Sequence, residues 1–129
     1  MRQSVFNHVV KGLLSQAHPS AEMRHGRLGC LYRGGAEIRC AVGWMIPDSL
    51  YSRGMEDLGS NELLENYPAL RESPMISQFT PQELELLQQY HDDAAHKFSR
   101  EGNLASDWQR FIREALANFA NNANLIMEV

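Results

Sequence analysis

Two cysteines, Cys30 and Cys40, flank a diglycine at Gly34-Gly35, and they are the only thiols in the chain. Such a pair suits four kinds of chemistry: a zinc clip, a disulfide, a nucleophile with a neighbouring base, or two small groups in a core. Zinc takes four nitrogen or sulfur ligands in a tetrahedron, so His18 or His25 would have to join the cysteines. The spacing His25-x4-Cys30-x9-Cys40 lacks the short C-x2-C knuckle of structural sites and marks no fourth ligand. A disulfide needs facing sulfurs and an oxidising compartment. A nucleophile at Cys40 would sit where a strand runs into a helix, whose N-terminus lowers a thiol's pKa, with His25 or His91 as base. No acid that would orient such a base is marked. The balance falls on two free, buried thiols, since unpaired cysteine is among the most buried residue types. No catalytic residue, metal or cofactor is expected.

A second group is His91-Asp92-Asp93-Ala94-Ala95-His96. Metal-binding histidines on a helix favour i and i+4, which share a face. These are five apart, which turns them about 140° from each other. Asp92 and His96 do share a face, as an ordinary helix pair.

The third group is Trp44, Asp48, Tyr51, Met55, Glu56 and Asp57, an aromatic and thioether set with an acidic rim. That is the composition of a protein-binding hot spot, and Glu62 and Glu65 would extend the acid toward a basic partner. These six residues are the expected partner-binding set. Arg24, Arg27, Arg33 and Arg39 are the one local basic concentration, able to hold a phosphate or carboxylate.

The elements that must position these groups follow from periodicity. Val5, Phe6, Val9, Val10, Leu13 and Leu14 recur at threes and fours and predict a helix over 3–17. Residues 18–27 have no period and read as a loop. A hairpin is expected at about 29–40, turning through Gly34 to Ala36, which would pair Cys30 with Cys40 and Tyr32 with Ile38. Ala41 to Ile46 predicts a short buried helix that ends before Pro47. Pro47-Asp48 would then open a turn through Tyr51, and Ser60 would cap a brief helix over 61–66. Thr80-Pro81-Gln82-Glu83 reads as a capping box opening a helix over about 81–99, stopped by Gly102. Ser106 would cap a last helix at about 107–121, with Trp108, Phe111, Ile112, Ala115, Leu116 and Phe119 on one face. Leu125 to Val129 is left as a tail.

At 129 residues this predicts one domain, 1–129, of helix-rich α+β class with three main helices, short helical turns and one hairpin. Hydrophobic content of 43% and charged content of 22% exclude wholesale disorder. A net charge of −4 disfavours general nucleic-acid binding, which needs clustered positive charge. No apolar run approaches the roughly 20 residues of a membrane span, and no secretory signal opens the chain. The expected location is cytoplasmic.

The stretch from Cys30 to Glu56 resembles a set of small proteins from bacteriophages and bacteria. The shared pattern is Cys30, Tyr32, Arg33, Gly34, then Cys40, Ala41, Gly43, Ile46, Pro47, Asp48, Tyr51, Met55 and Glu56. It covers about a fifth of the chain, and that family has no assigned activity. The resemblance implies a phage or prophage origin. The expectation is a protein-binding factor that modulates or inhibits host machinery, its partner being a host protein. A cysteine-dependent enzyme using Cys40 and an acidic DNA mimic are the alternatives.

Overall fold

The computed structural model describes residues 1–24, 26–35, 37–98 and 104–127. It is a helix-rich α+β structure: α1 (Arg2–Leu14), a hairpin of β1 (Ala21–Arg24) and β2 (Arg27–Cys30), α2 (Ser60–Asn66), α3 (Pro81–Phe98) and α4 (Ala105–Asn122). Single 3-10 turns at Val42–Met45, Arg53–Met55, Pro68–Glu72 and Ile76–Gln78 carry the chain between them. Among the described residues no helix is long and apolar enough to cross a membrane.

The long helices form because their apolar stripes meet. Val5, Phe6, Val9, Val10 and Leu13 of α1 are buried, as are Leu84, Leu87, Ala94 and Ala95 of α3 and Trp108, Ile112, Leu116 and Phe119 of α4. Phe6 stacks on Phe119 with ring centroids 5.9 Å apart. The predicted capping box opens α3: Thr80 Oγ1 accepts the Glu83 N–H at 3.1 Å, and Glu83 Oε1 accepts the Thr80 N–H at 2.9 Å. The expected stop at Gly102 lies outside the described residues. Two other expected caps are absent. Gly59, not Ser60, precedes α2, and Leu104 precedes α4 without a side-chain cap, so that Ser106 is inside the helix. The last helix closes through Asn124, whose left-handed φ of 58° lets the Leu125 N–H reach the Ala120 carbonyl at 2.8 Å. The tail then docks: the Gln3 side-chain amide both donates to and accepts from the Ile126 backbone at 2.8 Å.

The hairpin is not where periodicity put it. β1 and β2 pair antiparallel with Ala21 opposite Cys30 and Arg24 opposite Arg27, and Gly26, just before β2, has φ 77°. The stretch expected as a loop thus supplies a strand. The Gly34-Gly35 turn survives as a single bridge, Gly35 to Ile38, with the Gly34 N–H on the Ile38 carbonyl at 2.8 Å. The ladder stops there because side chains have captured its donors. Tyr32 and Arg33 give their N–H groups to Glu56, and Arg39 gives its own to Gln16. Cys30 and Cys40 are consequently not cross-strand partners, and Leu31 is buried.

The buried turn Val42–Met45 lies across this region and ends in extended Ile46 before Pro47, as expected. It needs Gly43, because a Cβ there would collide with the Tyr32 carbonyl. Gly43→Ala is expected to cost roughly 2 kcal/mol or more, read as a lower urea midpoint at unchanged slope.

Arg2 clamps Glu83 with both terminal guanidinium nitrogens. That bond, with the Thr80 N–H, holds the Glu83 carboxyl down from 4.5 to about 2. A depressed folded pKa means stabilisation present above the ordinary carboxylate range and lost as pH falls through it toward 2. Glu83→Gln is expected to flatten the acid limb of stability against pH between those values. Its cost at neutral pH is about 1 kcal/mol, since both side chains keep solvent contact.

Candidate functional site

Cys30 ends β2 against the middle of α3. There His91 is fully buried, with its ring edge-on to Trp108 at 6.0 Å. His91 Nε2 lies 2.9 Å from the Ser20 nitrogen. A backbone N–H only donates, so Nε2 is the acceptor and the ring proton sits on Nδ1. Nδ1 faces Asp92 Oδ1 at 3.3 Å, and the same oxygen accepts from Gln88 Nε2 at 3.1 Å. The Cys30 sulfur stands beside the same pair. Donor atoms of Cys30, His91 and Asp92 all fall within 4.8 Å of one another. Cys30 and Asp92 line a cleft of about 290 Å³ with Tyr32, Asp57, Gln88 and His96, while His91 is sealed behind them.

This constellation joins two groups that the sequence keeps apart, and it corrects the expectation that both thiols are interior filler. Cys30 is half-buried at a cleft beside an imidazole, while Cys40 is fully buried. The order of the three groups nevertheless opposes nucleophilic catalysis. A base must accept the thiol proton, and the one imidazole lone pair is spent on Ser20. Burial first, and then the Asp92 carboxylate, push the Cys30 thiol well above its ordinary range. Metal binding meets the same obstacle. With Nδ1 protonated only Cys30 and Asp92 can ligate, fewer than the three protein ligands of a catalytic zinc. The cluster is a hydrogen-bonded junction that ties Ser20 and β2 to α3.

The other sequence-level candidates are placed as follows. Cys40 accepts the Gly43 N–H on Sγ at 3.4 Å, and burial pushes its thiol up to about 12, against the pull of that bond. A sealed thiol of that kind is a packing group, which removes the setting that a Cys40 nucleophile requires. His18 turns Nδ1 to the Pro19 carbonyl at 2.8 Å, and His25 lies outside the described residues. His96 is exposed on the cleft's rim.

Of the expected partner-binding set, Trp44 and Met55 are in the core. Trp44 Nε1 donates to Gln16 at 2.7 Å, so this indole supports the surface from beneath rather than meeting a partner. Tyr51 and Glu56 are half-buried, and Asp48 and Asp57 are exposed. Glu56 is the fastening of the segment. One carboxylate oxygen accepts the Tyr32 N–H at 2.8 Å; the other accepts the Arg33 N–H at 3.2 Å and the Tyr51 hydroxyl at 2.6 Å. Burial and then this Glu56 contact raise the Tyr51 hydroxyl to about 12. The Arg33 guanidinium lies 4.3 Å over the Tyr51 ring and bonds the Ile46 carbonyl at 3.0 Å. A second cleft of about 450 Å³ opens here, bounded by Glu22, Leu31, Arg33, Tyr51, Arg53 and Glu56.

Sequence reasoning missed Gln16, Ser20 and Gln88 as anchors of the site. Only Gln88 carried a signal, standing four residues before Asp92 on one helix face.

Iodoacetamide at pH 7 is expected to label both native cysteines slowly. Asp92→Asn, which removes the carboxylate that raises the Cys30 pKa, should speed Cys30 labelling and leave Cys40 slow. Peptide mapping distinguishes the two. No protein-family model, curated protein or solved structure matches the chain.

Proposed function

We propose that this protein acts by binding another protein, through a surface centred on Tyr51 and rimmed by Asp48, Glu56 and Asp57. The observation that carries this reading is the Glu56 carboxylate. It holds a segment without helix or strand against the 32–33 backbone and against Tyr51, so a half-buried aromatic ring and two exposed acids are presented in a set geometry. A surface ordered before contact loses little entropy on binding, and buried-edge tyrosines are favoured anchors. Asp57 adds to the rim from a left-handed backbone, φ 71°, a costly conformation for a non-glycine residue. The resemblance of residues 30–56 to small bacteriophage and bacterial proteins supports host machinery as the source of the partner. The negative rim supports a basic patch on it.

The test is affinity capture from bacterial lysate with the wild-type protein, followed by titration of the retained partner against variants. Tyr51→Ala and Asp48→Lys, each verified as folded by circular dichroism, are expected to weaken binding about tenfold or more. Retention of the partner at unchanged affinity by both variants would remove this surface from the reading. Absence of any stable partner from the lysate would overturn the binding reading itself.

A further inference from the structure

Arg39 is the least satisfied charge among the described residues. Its side chain is only 19% exposed, and its guanidinium lies over the Trp44 ring at 4.9 Å. Its Nε is buried without a partner, and its one charged neighbour, Asp48 Oδ1, is 3.9 Å away, beyond hydrogen-bond reach. Arg33 is similar at Nε but better satisfied at its tip, where Nη2 also bonds the Ile46 carbonyl at 3.0 Å. It stacks on Tyr51, leaves its Nε buried and unpartnered, and brings Nη2 to the same Asp48 oxygen at 2.8 Å. Buried cations are nearly always paired, and an arginine with free donors held flat on an aromatic ring is shaped to receive a forked oxyanion.

We propose that Arg33 and Arg39 form a receptor for a phosphate-type oxyanion, with Asp48 as its resident counter-ion in the free protein. Asp48 suits that role because its side chain is 81% exposed, and a surface ion pair of that kind yields readily to a competitor. With Asp48 displaced, the two guanidiniums offer two positive charges to the incoming group, which matches a polyvalent oxyanion better than a carboxylate. Glu56 keeps its charge but is not a ligand of the guanidiniums, since its oxygens are held by the Tyr32 and Arg33 amides and the Tyr51 hydroxyl. Glu37 is exposed at the turn and no ion pair joins it to either arginine among the described residues. The site shares Asp48 and Tyr51 with the surface proposed above, but it is argued from the two unpartnered Nε groups and does not rest on that reading.

The experiment is an NMR titration that follows the Nε–H resonances of Arg33 and Arg39 while inorganic phosphate replaces chloride at constant ionic strength. Saturable shifts at both arginines are expected, with acetate weaker. Asp48→Asn, which removes the competing carboxylate, should bind phosphate about threefold tighter or better, and Arg39→Gln about tenfold weaker or worse. Phosphoserine and a nucleoside monophosphate, as further arms, identify which carrier of the group is preferred. Non-saturating shifts, acetate equal to phosphate, or an Asp48→Asn protein no tighter than wild type would each overturn the proposal. The Asp48→Asn arm decides it alone if Arg39→Gln does not fold.

Discussion

The Glu56 carboxylate is the interaction on which the irregular half of this protein depends. Among the described residues, 31 to 59 hold only two short 3-10 turns, yet they bury Leu31, Tyr32, Cys40, Trp44, Met45, Ile46 and Met55. Backbone amides taken into such an interior need partners, and for Tyr32 and Arg33 no backbone carbonyl is the acceptor. Glu56 accepts from both, and it takes the Tyr51 hydroxyl as a third donor. A charged acceptor makes each of these bonds stronger than a backbone carbonyl would. The loop is held by electrostatics where a sheet would be held by its ladder.

Two other side chains do the same work at the borders of this region. Gln16, buried just beyond α1, takes the Arg39 N–H and the Trp44 indole on its side-chain oxygen. Its backbone carbonyl takes the Trp108 indole and the Gln109 amide from α4. Three separate parts of the chain are thereby joined at one residue. His91 is the counterpart on α3, accepting from Ser20 and facing Asp92. A buried histidine beside a thiol and a carboxylate has the outward form of a catalytic or metal-binding group. The identity of its Nε2 partner decides otherwise, because a backbone amide can only donate and so assigns the ring proton to the side that chemistry would need free.

The residues of the Cys30-to-Glu56 pattern gain a physical reading from these contacts. Cys30 stands beside His91 and Asp92, Tyr32 donates its hydroxyl to the Leu58 carbonyl at 2.6 Å, and Gly43 admits the Tyr32 backbone. Arg33 reaches Ile46, Asp48 and Tyr51, while Met55 and Ala41 fill the core. Much of the pattern is therefore the set of parts that an unladdered loop requires to stand. Asp48 and Asp57 keep exposed surface, and each of the two arginines keeps a buried Nε without a partner.

The sequence by itself determined the long helices, the capping box at Thr80 and the buried 42–45 turn. Their signals are local: a period of three to four, a cap and its answer three residues on, a small apolar run stopped by proline. It also separated the two thiols from any recognisable knuckle or triad spacing. Tertiary structure alone decided which glycine turn would carry the hairpin, because the donors of residues 32, 33 and 39 went to Glu56 and Gln16, partners 23 or 24 positions away. It likewise sank Trp44 and Met55 beneath the surface that Tyr51 and Asp48 present, and brought Cys30 to His91 and Asp92. Competition among hydrogen-bond acceptors far apart in the chain has no periodicity, so it leaves no trace that a reading along the chain can find.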